Sequence, residues 1–276
     1  LLHGFPGSSH AWRAVAPLLP EGRRTVVVDL MGCGRSDGPQ RGRAGVVDHA
    51  ALIRGLMDDL ALPRAALIGH GLGGAIALRI ALDAPTRVSA LGLVAVPAFD
   101  AWPAGLGRLA RAARPLAPLL GAAVLASFVH GSAIPGYADP DEGRRALDLA
   151  LRAYPARLGT AAILAHLAAL HDPDVEGMAD GLVRIAAPTA VIWGEDDPYA
   201  SVERAERLAD AIPGATLAVL PGCSHFLPDD AADTVVPLVV EWLRGRYLGS
   251  PHRHAEGPVE VFLGRRPPPE AERMDT

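Results

Sequence analysis

The chain has 276 residues and no lysine, so all 26 of its basic residues are arginine. Against 31 acidic residues they leave a formal net charge of -5. That balance offers no surplus of positive charge for a nucleic-acid backbone, and no nucleic-acid partner is expected. Cysteine is nearly missing too. Cys33 and Cys223 lie far apart, which excludes a disulfide framework and fits a reducing, cytoplasmic compartment. Aromatic residues make up only 5%, so any core must be built from Ala, Leu and Val. No apolar run approaches the ~20 residues that span a bilayer, and no charged start followed by an apolar stretch reads as a signal peptide. The chain opens on Leu1 rather than Met, inside what reads as the end of a buried strand. Upstream residues are therefore expected.

Half of the chain is hydrophobic, enough for one large α/β domain. Arg24 to Leu30 is a β-branched run closed by Met31-Gly32-Cys33-Gly34, and it reads as a buried parallel strand followed by a turn. Further strands are predicted over Arg64–Ile68, Ala90–Val96, Thr189–Trp193 and Thr216–Leu220. Helical spacing is predicted over Val46–Leu60, Gly74–Leu82, Ser201–Ala211 and Asp230–Leu243. Strands alternating with helices imply a mostly parallel sheet covered on both faces.

Two regions break the rhythm. Pro97 to Leu182 is rich in Ala, Leu and Arg, is punctuated by Pro, and holds no convincing strand. It reads as a helical insertion above the sheet. Beyond Leu248 the Pro-, Arg- and Glu-rich tail has no periodicity except at Val259 to Leu263, and it reads as mostly disordered. The organisation expected is a core domain in two parts, 1–96 and 183–247, a helical lid at 97–182, and a disordered tail at 248–276.

Four motifs carry the chemistry. Leu1-Leu2-His3-Gly4-Phe5-Pro6-Gly7 is the first. Asp29-Leu30-Met31-Gly32-Cys33-Gly34-Arg35-Ser36-Asp37 is the second. Gly69-His70-Gly71-Leu72-Gly73-Gly74 is the third. The fourth pairs Trp193-Gly194-Glu195-Asp196-Asp197-Pro198 with Pro221-Gly222-Cys223-Ser224-His225-Phe226. Together, over Leu1 to about Arg246, they resemble the α/β-hydrolase superfamily, and in particular its epoxide-hydrolase-like members. The third loop resembles the nucleophile elbow, Gly-x-Ser-x-Gly, but Gly71 stands where the nucleophile belongs. The resemblance implies an α/β-hydrolase fold with a helical lid. It also implies sheet strands ahead of Leu1 that this chain lacks.

The resemblance also implies roles. His225 would be the general base and Asp197 the acid that holds its tautomer, counted from Gly194 by the pattern Gly-x-x-Asp. Asp196 is the competing acid, and Asp100 a more remote one. The backbone N–H groups of Phe5 and Leu72 would form an oxyanion hole. His3 is expected to be structural. Lid tyrosines polarise the epoxide in epoxide hydrolases, which singles out Tyr137 and Tyr154. Phe128, with Leu116, Leu119, Leu120, Val124 and Leu125, suggests an apolar face toward a small apolar organic substrate, although most such residues simply pack the lid onto the core. His130, His166 and His171 show no metal-ligand spacing, and neither metal nor cofactor is expected. The sequence leaves oligomeric state open.

Gly71 removes any covalent step through its own position. It keeps the sharp turn, because Gly enters strained backbone regions freely. Three readings stay open on the sequence. In the first, His225 activates water or abstracts a substrate proton. In the second, a non-catalytic homologue binds a ligand or partner. In the third, a serine hydrolase has had its nucleophile replaced.

Overall fold

The computed structural model describes residues 1–19, 24–38, 45–99, 112, 122–152, 163–164, 166, 175, 177–243 and 262–263. Its centre is a sheet of β1 (Ala65–His70), β2 (Val88–Val94), β3 (Thr189–Gly194), β4 (Thr216–Leu220) and β5 (Phe262–Leu263), in that spatial order. The first four pair in parallel, and β5 runs antiparallel to β4. Around the sheet lie α1 (Val46–Asp59), α2 (Leu72–Asp83), α5 (Val202–Ala211), the single turn α6 (Leu227–Asp230) and α7 (Ala232–Leu243). The connection between β2 and β3 carries α3 (Ala122–Ala133) and α4 (Pro140–Arg152). Among the described residues this connection contains no strand. No helix there is long and apolar enough to cross a membrane.

The strands are apolar on both faces because each face is covered. Leu67, Leu91, Leu93, Val191 and Trp193 point into one apolar layer, shared with Met57, Ile76, Ile80 and Leu208 of the helices. Their neighbours Ile68, Val94, Ala190, Ile192 and Leu220 point into the other, shared with Trp12, Val235 and Val239. This period-2 division between two buried layers explains why the strands read as continuous hydrophobic runs.

One predicted strand is corrected. Over Arg24–Leu30 only Val28 pairs, in an isolated parallel bridge with Leu2, which also bridges to Gly69. The segment lies beside Leu1–Leu2, and the Leu1 amino group donates to Val26 O at 2.7 Å. Val28 N–H also donates to Leu1 O at 3.2 Å, and the pairing stops at this single bridge. The predicted helix Asp230–Leu243 is also divided, with Ala231 separating α6 from α7.

The sequence brings α2 unusually close to the sheet. A Cβ at Gly73 would lie 2.3 Å from Leu2 O and 2.6 Å from His3 O, both backbone atoms that cannot rotate away. Gly73→Ala is therefore expected to destabilise the protein by about 3 kcal/mol or more, as overpacking against rigid backbone does. Gly55→Ala is the control: a Cβ at this exposed position on α1 meets nothing within 4 Å. It should raise stability by roughly 0.5–1 kcal/mol. Urea unfolding of both variants checks the pair, and equal effects would refute the close approach.

Candidate active site

The site sits at the carboxyl ends of the parallel strands, where connecting loops converge. β1 ends at His70, and Gly71 turns the chain into α2 with φ 50° and ψ -117°. A side chain at such a φ costs about 1–3 kcal/mol; Gly does not incur it. The Gly71 N–H donates to Val94 O at 3.0 Å, tying the turn to the end of β2.

β3 delivers the acid. Past Gly194 the chain bends, and the Trp193 indole N–H donates to Ala200 O at 2.9 Å, closing the loop on itself. Within it, Asp197 Oδ1 accepts from the backbone N–H groups of Tyr199 (2.8 Å) and Ala200 (3.2 Å). Asp197 Oδ2 lies 2.7 Å from His225 Nδ1, and both side chains are buried. A carboxylate only accepts, so Nδ1 carries a proton toward Asp197, and Nε2 is the ring nitrogen turned away from it. Asp196, the competing acid, is exposed and does not take this place. Asp100 lies outside the described residues.

Nε2 points at the elbow. A Cβ built on Gly71 would lie 3.8 Å from it, and 3.7 Å from Gly4 Cα. Acid, imidazole and apex therefore stand in line. Phe5 and Leu72 are both buried beside this point. Among the described residues neither of their backbone N–H groups meets a hydrogen-bond acceptor.

Histidine 225 is held from all sides. Its backbone N–H and that of Phe226 both donate to Gly136 O, at 2.9 and 3.0 Å. Its carbonyl accepts from His70 Nε2 at 3.0 Å. Burial and the neighbouring His225 hold the His70 pKa well below its ordinary value, so that ring stays neutral. The Tyr199 ring meets the His225 ring edge-on at 5.0 Å, and its hydroxyl donates to Ser132 O (2.6 Å) and Ala133 O (3.1 Å) at the end of α3. Sequence reasoning missed His70, Gly136 and Tyr199 as supports. Only Tyr199 left a local signal, two residues after the acid.

The remaining expected residues fall elsewhere. His3 is fully buried, with Nδ1 donating to Gly4 O at 2.7 Å and Nε2 accepting from Leu30 N at 3.0 Å. Burial pushes its pKa down to about 4, so it is a neutral strut. Tyr137 is buried with Leu147 and Phe226, stacking on Phe226 at 4.3 Å, so it braces the histidine loop from beneath. Phe128 on α3 is 42% exposed. Tyr154, Leu116, Leu119, Leu120 and His171 lie outside the described residues. His166 stacks between Phe5 and His49, with Cys33 Sγ 3.8 Å from its Nε2.

One acid beside the histidine loop carries a pH dependence. Asp230 Oδ2 accepts from Ala138 N at 2.8 Å, whereas Oδ1 is buried with no partner among the described residues. Burial pushes its pKa up to about 6. The folded state thus favours the neutral acid. Stability from this group is present at low pH and lost as pH rises through about 6. Asp230→Asn keeps an acceptor for Ala138. It should raise Tm at pH 8 by roughly 3 °C and do much less near pH 4, as seen by calorimetry. A uniform shift at both pH values would exclude this account.

Comparison with known proteins follows the same lines. Residues 1–232 match the family model described as alpha/beta hydrolase fold. A putative carbamate hydrolase of Variovorax paradoxus is 31% identical over 82% of this chain and 83% of its own. A protein named the 30 kDa subunit of magnesium chelatase, from Rhodobacter capsulatus, is 32% identical over 89% and 86%. The structure of a thermophilic esterase from Thermogutta terrifontis superposes with a TM-score of 0.73 at 27% identity, covering 88% of each chain.

Proposed function

Because the chain belongs to the α/β hydrolase fold family, we propose that it is a hydrolase of small, largely apolar esters that works without a covalent nucleophile. The observation that carries this is the line Asp197 Oδ2, His225 Nδ1, His225 Nε2 and the open apex of Gly71. A base and its orienting carboxylate are kept in working geometry around one absent side chain. In this reading, Nε2 takes a proton from a water seated at the apex while that water's oxygen bonds to the acyl carbon. The carbonyl electrons move onto oxygen, where the Phe5 and Leu72 N–H groups stabilise the charge. They return as the ester C–O bond breaks, and the leaving alkoxide takes the proton back from Nε2. Asp197 holds the tautomer throughout. In this reading Phe128 and Tyr154 supply apolar contacts from the lid side.

The test is ester turnover across a panel of p-nitrophenyl acyl esters. The unmodified protein should exceed buffer by about 10²–10³-fold, the order that positioned general-base catalysis with an oxyanion hole supplies. His225→Ala should return the rate to background with the melting curve retained. Gly71 itself favours a second reading, a binding protein without turnover. Rates that equal background in the unmodified protein, with ligand binding present, would establish that reading instead.

A further inference from the structure

We infer that Tyr199 is a positioning residue that ties the end of α3 to the acid–histidine pair, so that the alignment of His225 is set from the β2–β3 connection. Its meaning for catalysis rests on the proposed role of His225 as base. The ground is that one residue reaches three parts of the site at once. The Tyr199 backbone N–H donates to Asp197 Oδ1 at 2.8 Å. Its ring meets the His225 ring edge-on, with the centroids 5.0 Å apart. Its hydroxyl donates to Ser132 O at 2.6 Å, with Ala133 O 3.1 Å away. Those two carbonyls close α3, in the last turn of a helix, where carbonyls run out of intrahelical partners.

Packing alone would need only the ring, so the hydroxyl is the informative part. Burial, joined by the nearby Asp197 charge, raises its pKa above the ordinary value, and the proton stays on as a donor. A phenol has one proton to give. Here it is spent on α3, which leaves Tyr199 no part as a proton donor to substrate.

The same stretch of chain grips the pair from a second side. Three residues after Ala133, Gly136 O accepts from the backbone N–H groups of His225 and Phe226 at 2.9 and 3.0 Å. Gly136 also lies hard against the phenol: a Cβ there would meet Tyr199 Cε2 at 2.6 Å and Phe226 Cε2 at 2.8 Å. Ala133, Tyr137, Leu147 and Phe226 form an apolar cluster of their own, apart from the two sheet layers, with Tyr199 packed against it. Residues 132–137 thus hold the histidine loop by a carbonyl and the acid loop through a phenol. A shift of this segment pulls on both partners of the 2.7 Å contact between His225 Nδ1 and Asp197 Oδ2. A ligand that seats α3 thereby seats the base.

The proton held between His225 Nδ1 and Asp197 Oδ2 reports this alignment without any turnover. The experiment records its downfield proton NMR resonance in the unmodified protein, assigned by its loss in His225→Ala, and measures its exchange with water. Tyr199→Phe keeps the ring and the backbone bond and removes only the hydroxyl. Expected is exchange about 5-fold faster or more, the order that one lost hydrogen bond supplies. Thr189→Val is the control. It deletes a hydroxyl that bonds Ala187 O at 2.8 Å, at the start of β3 and at the other end of that strand from Gly194, and it should leave the exchange rate unchanged. Equal exchange in the unmodified and Tyr199→Phe proteins overturns the inference. An equal acceleration in Thr189→Val overturns it too, since the effect would then be general loosening, and so does absence of the resonance from the unmodified protein. Ester turnover is read apart from this. Without His225-dependent turnover the hydrolase reading falls, while faster exchange confined to Tyr199→Phe still sustains the tie between α3 and the pair.

Discussion

Gly71→Ser is expected to raise ester turnover by about 10³-fold or more and to make the protein susceptible to a serine-directed phosphonate. The size follows from how a nucleophile, base and acid act as a unit: losing the serine of such a set costs nearly as much as losing all of it. Two geometric facts make the gain accessible by one substitution. Among the described residues beyond its chain neighbours the new Cβ meets nothing closer than 3.7 Å, and it lies 3.8 Å from His225 Nε2, so a hydroxyl one bond further reaches the base. The gain should come with a loss. At φ 50° a side chain costs about 1–3 kcal/mol, so the variant should melt several degrees lower than the unmodified protein. Mass spectrometry of the phosphonate adduct, burst kinetics and a thermal melt check all three parts. A Gly71→Ser protein that folds, melts lower and neither turns over ester nor takes the phosphonate would show that His225 is not placed to activate this position.

Activity and stability are thus expected to move in opposite directions at one residue. The wider elbow explains why. Gly69, Gly73 and Gly74 are required by space, because backbone or packed side chains occupy the place of their Cβ. Among the described residues nothing requires Gly71 by space. It relieves backbone strain and removes chemistry together.

Much of this site was legible in the sequence because its parts are set by short counts. Gly194 to Asp197 is a fixed distance along one loop, and the buried carboxylate meeting His225 is the one so counted, whereas the adjacent Asp196 faces solvent. The paired strands β1 to β4 were legible too, since burial on both faces writes them as unbroken apolar runs. The supports of His225 were not. His70, Gly136 and Tyr199 reach the imidazole loop from far along the chain, through a ring nitrogen, a carbonyl and a ring edge. Nothing in local periodicity marks such contacts. The segment Arg24–Leu30 misled for the opposite reason. Its β-branched composition suits a strand, but strand formation needs a partner, and Leu2 supplies one bridge.

Asp197→Asn tests the pair itself, and its geometry predicts an unusually clean result. The two carboxylate oxygens have different duties. Oδ1 accepts from the Tyr199 and Ala200 N–H groups, while Oδ2 meets His225 Nδ1. An asparagine has one oxygen and one NH2 to offer. Turning the NH2 toward two backbone donors would leave both unpaired in a buried place, at a cost of about 1–3 kcal/mol each. The amide oxygen must therefore stay with the backbone, and the NH2 must face His225. Nδ1 then has to accept, which moves the imidazole proton to Nε2 and takes the lone pair away from the apex. The fold keeps its hydrogen bonds while the base is turned off. Measured in the Gly71→Ser background, Asp197→Asn should lower kcat/KM by about 10⁴-fold, the penalty of a wrong tautomer. Tm should change by no more than a few degrees. A small loss would mean that Asp197 braces the loop without setting the tautomer, and that the proton on His225 is governed elsewhere.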